Sequence, residues 1–250
     1  MTVDRPAPLV EVHDDAAALA TAVAGELLNR IADAQAAGHV PDIGLTGGSI
    51  AEAIHREVAR LADASGVDWG AVRFYFGDER FVPSDSPDRN VAQARAAFLD
   101  EVGASRVHSA PAADEVATAE ESAEQYAATI RSTGSGDFDV LMLGVGPDGH
   151  IASLFPGHPG LDATGDLAVA VHDSPKPPPD RVSLTFEALN RAQAVWFVVS
   201  GDGKADAVRR VMAEVAPDAE DAARRETPAR GVRGIAETVW FLDTGAASAI

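Results

Sequence analysis

The run from Phe138 to Val145, FDVLMLGV, reads as an apolar strand of the kind buried on both faces at the centre of a parallel sheet. It ends in Gly146-Pro147-Asp148-Gly149-His150. The same pattern recurs along the chain: a short apolar run, a glycine-rich or polar loop, then helical periodicity. Asp42 to Leu45 ends in Thr46-Gly47-Gly48-Ser49, and Val72 to Phe76 runs into GDERFVPSDSPDRN. Ala194 to Val199 runs into Ser200 to Lys204.

Helices are predicted between these runs. From Asp14 to Ala37, Leu19, Val23, Leu27 and Ile31 fall four apart on one face, and Gly38 is the stop. A second helix starts at Ser49, where Ser49 and Glu52 have the spacing of a capping box. Others are expected over Asn90–Leu99, Asp114–Arg131 and most of Gly201–Val215. Val107, Leu167–Val171, Arg181–Leu184 and Val239–Leu242 mark further strands, and Thr185 caps a short helix. STGSGD reads as a flexible turn, SPKPPPD as a stiff loop, and Ala216 to Ala236 as irregular.

Strands alternating with helices predict an α/β fold, a mostly parallel, doubly wound sheet flanked by helices. With no repeat and no linker, residues 1–250 are expected to form a single domain. Ligands of such sheets bind beyond the carboxyl ends of the strands. The loops at 46–49, 77–90, 144–150 and 200–204 are therefore candidates for one shared site.

Composition narrows the chemistry. There is no cysteine, which removes disulfides, thiolate metal sites and cysteine nucleophiles. A formal net charge of −19 opposes nucleic acid and anionic membranes as partners. An anionic substrate would need the few basic residues gathered around it. The start, MTVDRPAPLVEVHDD, lacks the pattern of a signal peptide, and Ala16 to Gly25 is too short to span a bilayer. A cytoplasmic protein is expected.

Each loop admits two readings. Gly47-Gly48-Ser49 is either a phosphate cradle at a helix N-terminus or a tight turn. Arg80 either holds an anion and stabilises developing negative charge, or belongs to a surface ion pair. GVGPDG has the G-x-G-x-x-G spacing of a dinucleotide loop, but Pro156-Gly157-His158-Pro159 leaves the following helix room only from Gly149 to Phe155. The other reading makes the glycines a turn that sets His150 at a helix start. There the dipole would favour a neutral imidazole fit for general-base work. A metal on Asp148, His150 and His158 is disfavoured by the intervening prolines. Arg181 and Lys204 each lie at an element end where a phosphate could sit.

In order, LTGGS, FGDERFVP, DSPDRN, LGVGPDGHIASLFPG, RVSLTFEALN, VSGDGKADAV and the late PAR and VWFLD resemble the 6-phosphogluconolactonase family, over about residues 9 to 245. The resemblance implies a fold shared with glucosamine-6-phosphate deaminases. It implies hydrolysis of 6-phosphoglucono-δ-lactone to 6-phosphogluconate, with no required metal or organic cofactor. By motif, His150 would be the base, and Arg80 and the Gly47-Gly48-Ser49 turn would contact substrate. Arg181 and Lys204 would bind the 6-phosphate, and Asp148 would orient His150 or bind sugar hydroxyls. One departure is Arg89, where the family often has serine before the asparagine. The alternatives are an aminosugar-phosphate isomerase/deaminase, a non-catalytic sugar-phosphate sensor and a nicotinamide-dependent dehydrogenase. The first carries a glutamate after its Gly-His, where this chain has Ser153-Leu154-Phe155-Pro156. Oligomeric state stays open.

Overall fold

The computed structural model describes residues 5–134 and 136–250. The first residues of MTVDRPAPLVEVHDD and one residue of the STGSGD turn lie outside them. In chain order the elements are β1 (Leu9–His13), α1 (Ala16–Ala36), β2 (Asp42–Leu45), α2 (Ser49–Ser65), β3 (Arg73–Phe76), β4 (Asp78–Arg80), α3 (Asn90–Ala94), β5 (Arg106–Val107) and α4 (Ala119–Thr133). They continue as β6 (Val140–Leu143), β7 (Ala168–Val171), β8 (Arg181–Leu184), α5 (Phe186–Leu189), β9 (Ala194–Val199), α6 (Ala205–Met212), α7 (Glu220–Glu226) and β10 (Glu237–Asp243).

Seven strands form one sheet in the order β1-β10-β9-β6-β2-β3-β5, and every pairing in it is parallel. Successive side chains of a strand point to opposite faces, and the core divides accordingly. Val140 and Met142 of β6 join a layer with Leu19, Val23, Leu27 and Ile31 of α1, while Leu141 and Leu143 join the opposite layer. Trp196 and Trp240 are buried on opposite sides in the same way. Full burial of a Leu, Val or Ile contributes about 1.5–3 kcal/mol, and a helix cap about 1 kcal/mol. The apolar stripe therefore sets α1, and the Asp15 carboxylate, accepting from Ala18 N–H, fixes only where it starts.

The structure departs from expectation in several places. β1 was not anticipated: Leu9 and Val12 are 57% and 53% exposed, so this edge strand has no buried face to write an alternation. Its backbone pairing with β10 holds it. Asp78–Arg80, read as loop, is a strand. It pairs antiparallel with β8, and β8 with β7, in a second sheet of order β4-β8-β7. Three charged residues in a row carry no strand signal, and the partner lies a hundred residues away. The segment expected to be irregular holds α7, and α4 begins at Ala119, capped by Thr118, rather than at Asp114. The capping box does not form. Ser49 is already helical, and Gly48, with φ +102°, occupies the cap without a side-chain bond. Among the described residues, no helix is long and apolar enough to cross a membrane.

Candidate active site

Beyond the carboxyl ends of β2, β6 and β9 lies a cavity of about 300 Å³, closed on another side by Asp78 and Arg80 of β4 and Arg181 of β8. It brings together the predicted Gly47, Gly48, Ser49, Arg80, His150, Arg181 and Lys204. Asp148 stands just behind, bonded to His150. The pairing of β4 with β8 places Arg80 opposite Arg181, so the small sheet delivers both guanidinium groups to the edge of the large one.

The His150 turn is built differently from the expected helix start. Gly146 N–H donates to His150 O and Gly149 N–H to Gly146 O, both at 2.9 Å. Ile151 then bridges Val145 and Leu154 in place of a helical turn. Among the described residues, no helix begins at His150. The group that governs the ring is Asp148, whose Oδ1 pairs with Nδ1. Burial pushes the Asp148 carboxyl up, but the hydrogen bond and charge of His150 outweigh it and hold the group down at about 2. With Nδ1–H donating to this carboxylate, Nε2 keeps the lone pair. The ring packs on Phe155, centroids 4.5 Å apart. Arg210 steadies the turn from behind, donating to Pro147 O (3.1 Å) and Asp148 O (3.3 Å). Gly146 leaves the ring its place, because a β-carbon there would meet the His150 ring. His158 is engaged elsewhere, with His172 O and Gly160 N–H.

The remaining wall is cationic. Arg181 is only 5% exposed. Its Nε donates to Pro178 O (3.1 Å) and its Nη2 to Lys176 O (3.0 Å) and Pro177 O (3.2 Å). Burial lowers its proton affinity and Asp78 opposes the shift; a guanidinium stays charged regardless. Lys204 Nζ donates to Val145 O (2.6 Å), and burial, then the charge of Lys176, pushes its amine down from the ordinary lysine value. Arg80 donates to Asn90 Oδ1, and Asn90 Nδ2 donates to Asp78 O (2.8 Å). A β-carbon on Gly47 would strike that Asn90 oxygen. Residues 46–50 present the start of α2, whose first N–H groups lack intrahelical acceptors.

Lys176, Asn90 and Asp78 are lining residues that the sequence reading did not single out. A signal for Lys176 existed. The chain has two lysines, Lys176 and Lys204, and both line this cavity. Arg80, Lys176, Arg181 and Lys204 face a single lining acid, Asp78, in a chain of net charge −19. The arrangement can hold a dianion and present Nε2 of His150 in the same cavity.

Known proteins agree in fold and sequence. Residues 14–240 match the family of glucosamine-6-phosphate isomerases/6-phosphogluconolactonases. The 6-phosphogluconolactonase of Streptomyces coelicolor is 40% identical over 252 residues, covering 96% of this chain and 94% of that one. The structure of 6-phosphogluconolactonase from Trypanosoma brucei superposes with a TM-score of 0.80 at 27% identity, covering 97% and 98% of the two chains. A monomeric glucosamine-6-phosphate deaminase reaches a TM-score of 0.79 over 97% of this chain and 100% of its own, and at 19% identity it speaks to the fold alone. By sequence and by architecture, the chain belongs to the glucosamine-6-phosphate isomerase/6-phosphogluconolactonase family.

Proposed function

We propose that this protein is a 6-phosphogluconolactonase, hydrolysing 6-phosphoglucono-δ-lactone to 6-phosphogluconate. The observation that carries the reading is the Asp148–His150 pair beside a cavity holding Arg181, Lys176 and Lys204. A δ-lactone is an activated ester and needs no covalent nucleophile. Nε2 of His150 takes a proton from water as its oxygen bonds to C1. The carbonyl electrons move onto the oxyanion, which then collapses and breaks the bond from C1 to the ring oxygen. The imidazolium returns its proton to that oxygen, yielding the open acid. A positioned base contributes about 10²–10⁴-fold.

Gly146 and Gly149 N–H already serve the turn, which favours Arg80, steadied by Asn90, as the donor to the oxyanion. Arg181, Lys204 and the Gly47-Gly48-Ser49 turn hold the 6-phosphate, so that remote binding energy aligns C1 with the base. Asp148 orients the ring. A cytoplasmic setting and a free phosphorylated lactone as partner belong to the same reading.

The dinucleotide alternative loses its helix after Gly149, and the deaminase alternative lacks a glutamate over residues 153–156. Purified protein should accelerate opening of the phosphorylated lactone above the spontaneous rate without added metal. It should release no ammonia from glucosamine 6-phosphate. Spontaneous-rate kinetics with the lactone, or ammonia release, would overturn the reading.

A further inference from the structure

Behind the cavity wall lies a charge pair that the proposed chemistry does not use. Glu79 and Arg89 are each 2% exposed. The Glu79 carboxylate accepts three backbone N–H groups: Arg80 (2.8 Å) and Asn90 (2.7 Å) on Oε1, and Val91 (2.9 Å) on Oε2. It ties the end of β4 to the start of α3. Those segments carry Arg80 and Asn90, which meet side chain to side chain in the cavity wall. Asn90 is tied in turn to Asp78 O (2.8 Å) and Oδ1 (3.1 Å).

Arg89 is placed less comfortably. Its Nη2 donates to Ala110 O (2.5 Å), but Nε and Nη1 have no hydrogen-bond partner among the described residues. Nε lies 3.8 Å from Glu79 Oε2, an ion pair without a hydrogen bond. Unpaired guanidinium donors in the interior are unfavourable, so hydrogen bonding does not account for this arginine. Its position supplies a positive charge beside a carboxylate whose oxygens face N–H donors. A proton on either oxygen would point toward a donor, so the staple requires the ionised form. Burial pushes the Glu79 carboxyl above its ordinary value, and the Arg89 charge and the three N–H groups offset only part of that rise. The neighbouring groups are Asp78 and Arg80 on β4, and Arg181, which lies 3.9 Å from Asp78. Tyr126 on α4 also faces the pair, its hydroxyl kept neutral by burial, as does Asp114 before α4.

We propose that Glu79 is a positioning residue for Arg80, and that Arg89 is the fixed counter-charge that keeps the Glu79 staple ionised. The catalytic consequence rests on the lactonase reading above. Arg89→Met removes the charge at similar length, and Arg89→Lys restores it. Two readouts are needed: kcat/KM from about pH 5.5 to 8.5, corrected for spontaneous hydrolysis, and ¹³C NMR titration of the Glu79 carboxyl, assigned by its loss in Glu79→Gln. In Arg89→Met, Glu79 should titrate at higher pH. The acid side of the kcat/KM profile should rise with it, giving about tenfold loss at the acid end and near-wild-type rates at the alkaline end. Arg89→Lys should return both to wild type. Should Arg89→Met fail to fold, Arg89→Gln makes the same comparison with polar atoms retained. A profile that superimposes on wild type, or falls equally at every pH, overturns the proposal, as does an unmoved Glu79 titration. Inactive wild-type protein sinks the lactonase reading instead, and the NMR titration then decides the pair alone.

Discussion

Nδ1 of His150 lies 2.5 Å from Oδ1 of Asp148, two residues back along a turn closed by Gly146 and Gly149. This pairing commits Nδ1 as donor and frees Nε2 to act as base. His150→Ala should therefore lower kcat by about 10²–10⁴-fold with little change in KM. Single-turnover kinetics beside a thermal melt check this. Full activity in a folded variant would remove His150 from the mechanism.

Asp148→Asn keeps the shape of the turn but offers the ring an ambiguous partner. Loss of a carboxylate that sets the tautomer of a histidine base can cost up to about 10⁴-fold, and the loss should fall on kcat. The pairing also has a stability signature. Because the Asp148 carboxyl is held at about 2 in the folded protein, its stabilisation is fully present above the usual aspartate value. It is lost as pH falls through that value toward 2. The melting difference between wild type and Asp148→Asn should be flat near neutrality and shrink in acid. A difference that grows in acid contradicts the pairing.

Arg181→Ala and Lys204→Ala should each raise KM for the phosphorylated lactone by roughly 10–100-fold, the equivalent of one charge-assisted hydrogen bond of about 1.5–3 kcal/mol. The unphosphorylated lactone should barely distinguish the variants from wild type. If both substrates suffer equally, these residues do not hold the phosphate.

Lys204 provides a separate test through pH. Burial, then Lys176, lowers its amine from the ordinary value, and the protonated form is the one that holds an anion. Binding of 6-phosphogluconate, followed by calorimetry, should weaken as pH rises, before the range of a free lysine. Lys176→Ala should move that weakening to higher pH while reducing affinity at neutrality. Binding that is level through this range argues against Lys204 as an anchor.

Gly146→Ala inserts a β-carbon where the His150 ring sits. It should cost activity on the scale of Asp148→Asn and leave binding of 6-phosphogluconate nearly intact. Wild-type rates in this variant would show that the ring can move without consequence.

The parallel sheet and its binding edge were legible because apolar strands such as AVWFVV at 194–199 are buried throughout and leave a compositional trace. Gly47, His150 and Lys204 were legible because each follows such a run, and Arg181 because it opens one. What stayed hidden depends on distant partners. β4 is a strand only because β8 pairs with it, and Lys176 reaches the cavity on a proline-rich loop whose course no local pattern gives. The proposed helix after Gly149 failed for a local reason, visible only in three dimensions. Ile151 is drawn into bridges with Val145 and Leu154, and Ala152 adopts φ +47°.

The cavity draws on residues from Thr46 to Lys204 and on two sheets at once. Its walls are therefore joined by contacts of high sequence separation, the kind that form late and slowly. A growing or truncated chain that ends before Lys204 has strands but no complete site. During refolding, return of catalysis should lag return of helical signal, because the site is complete only once the small sheet has settled against the large one.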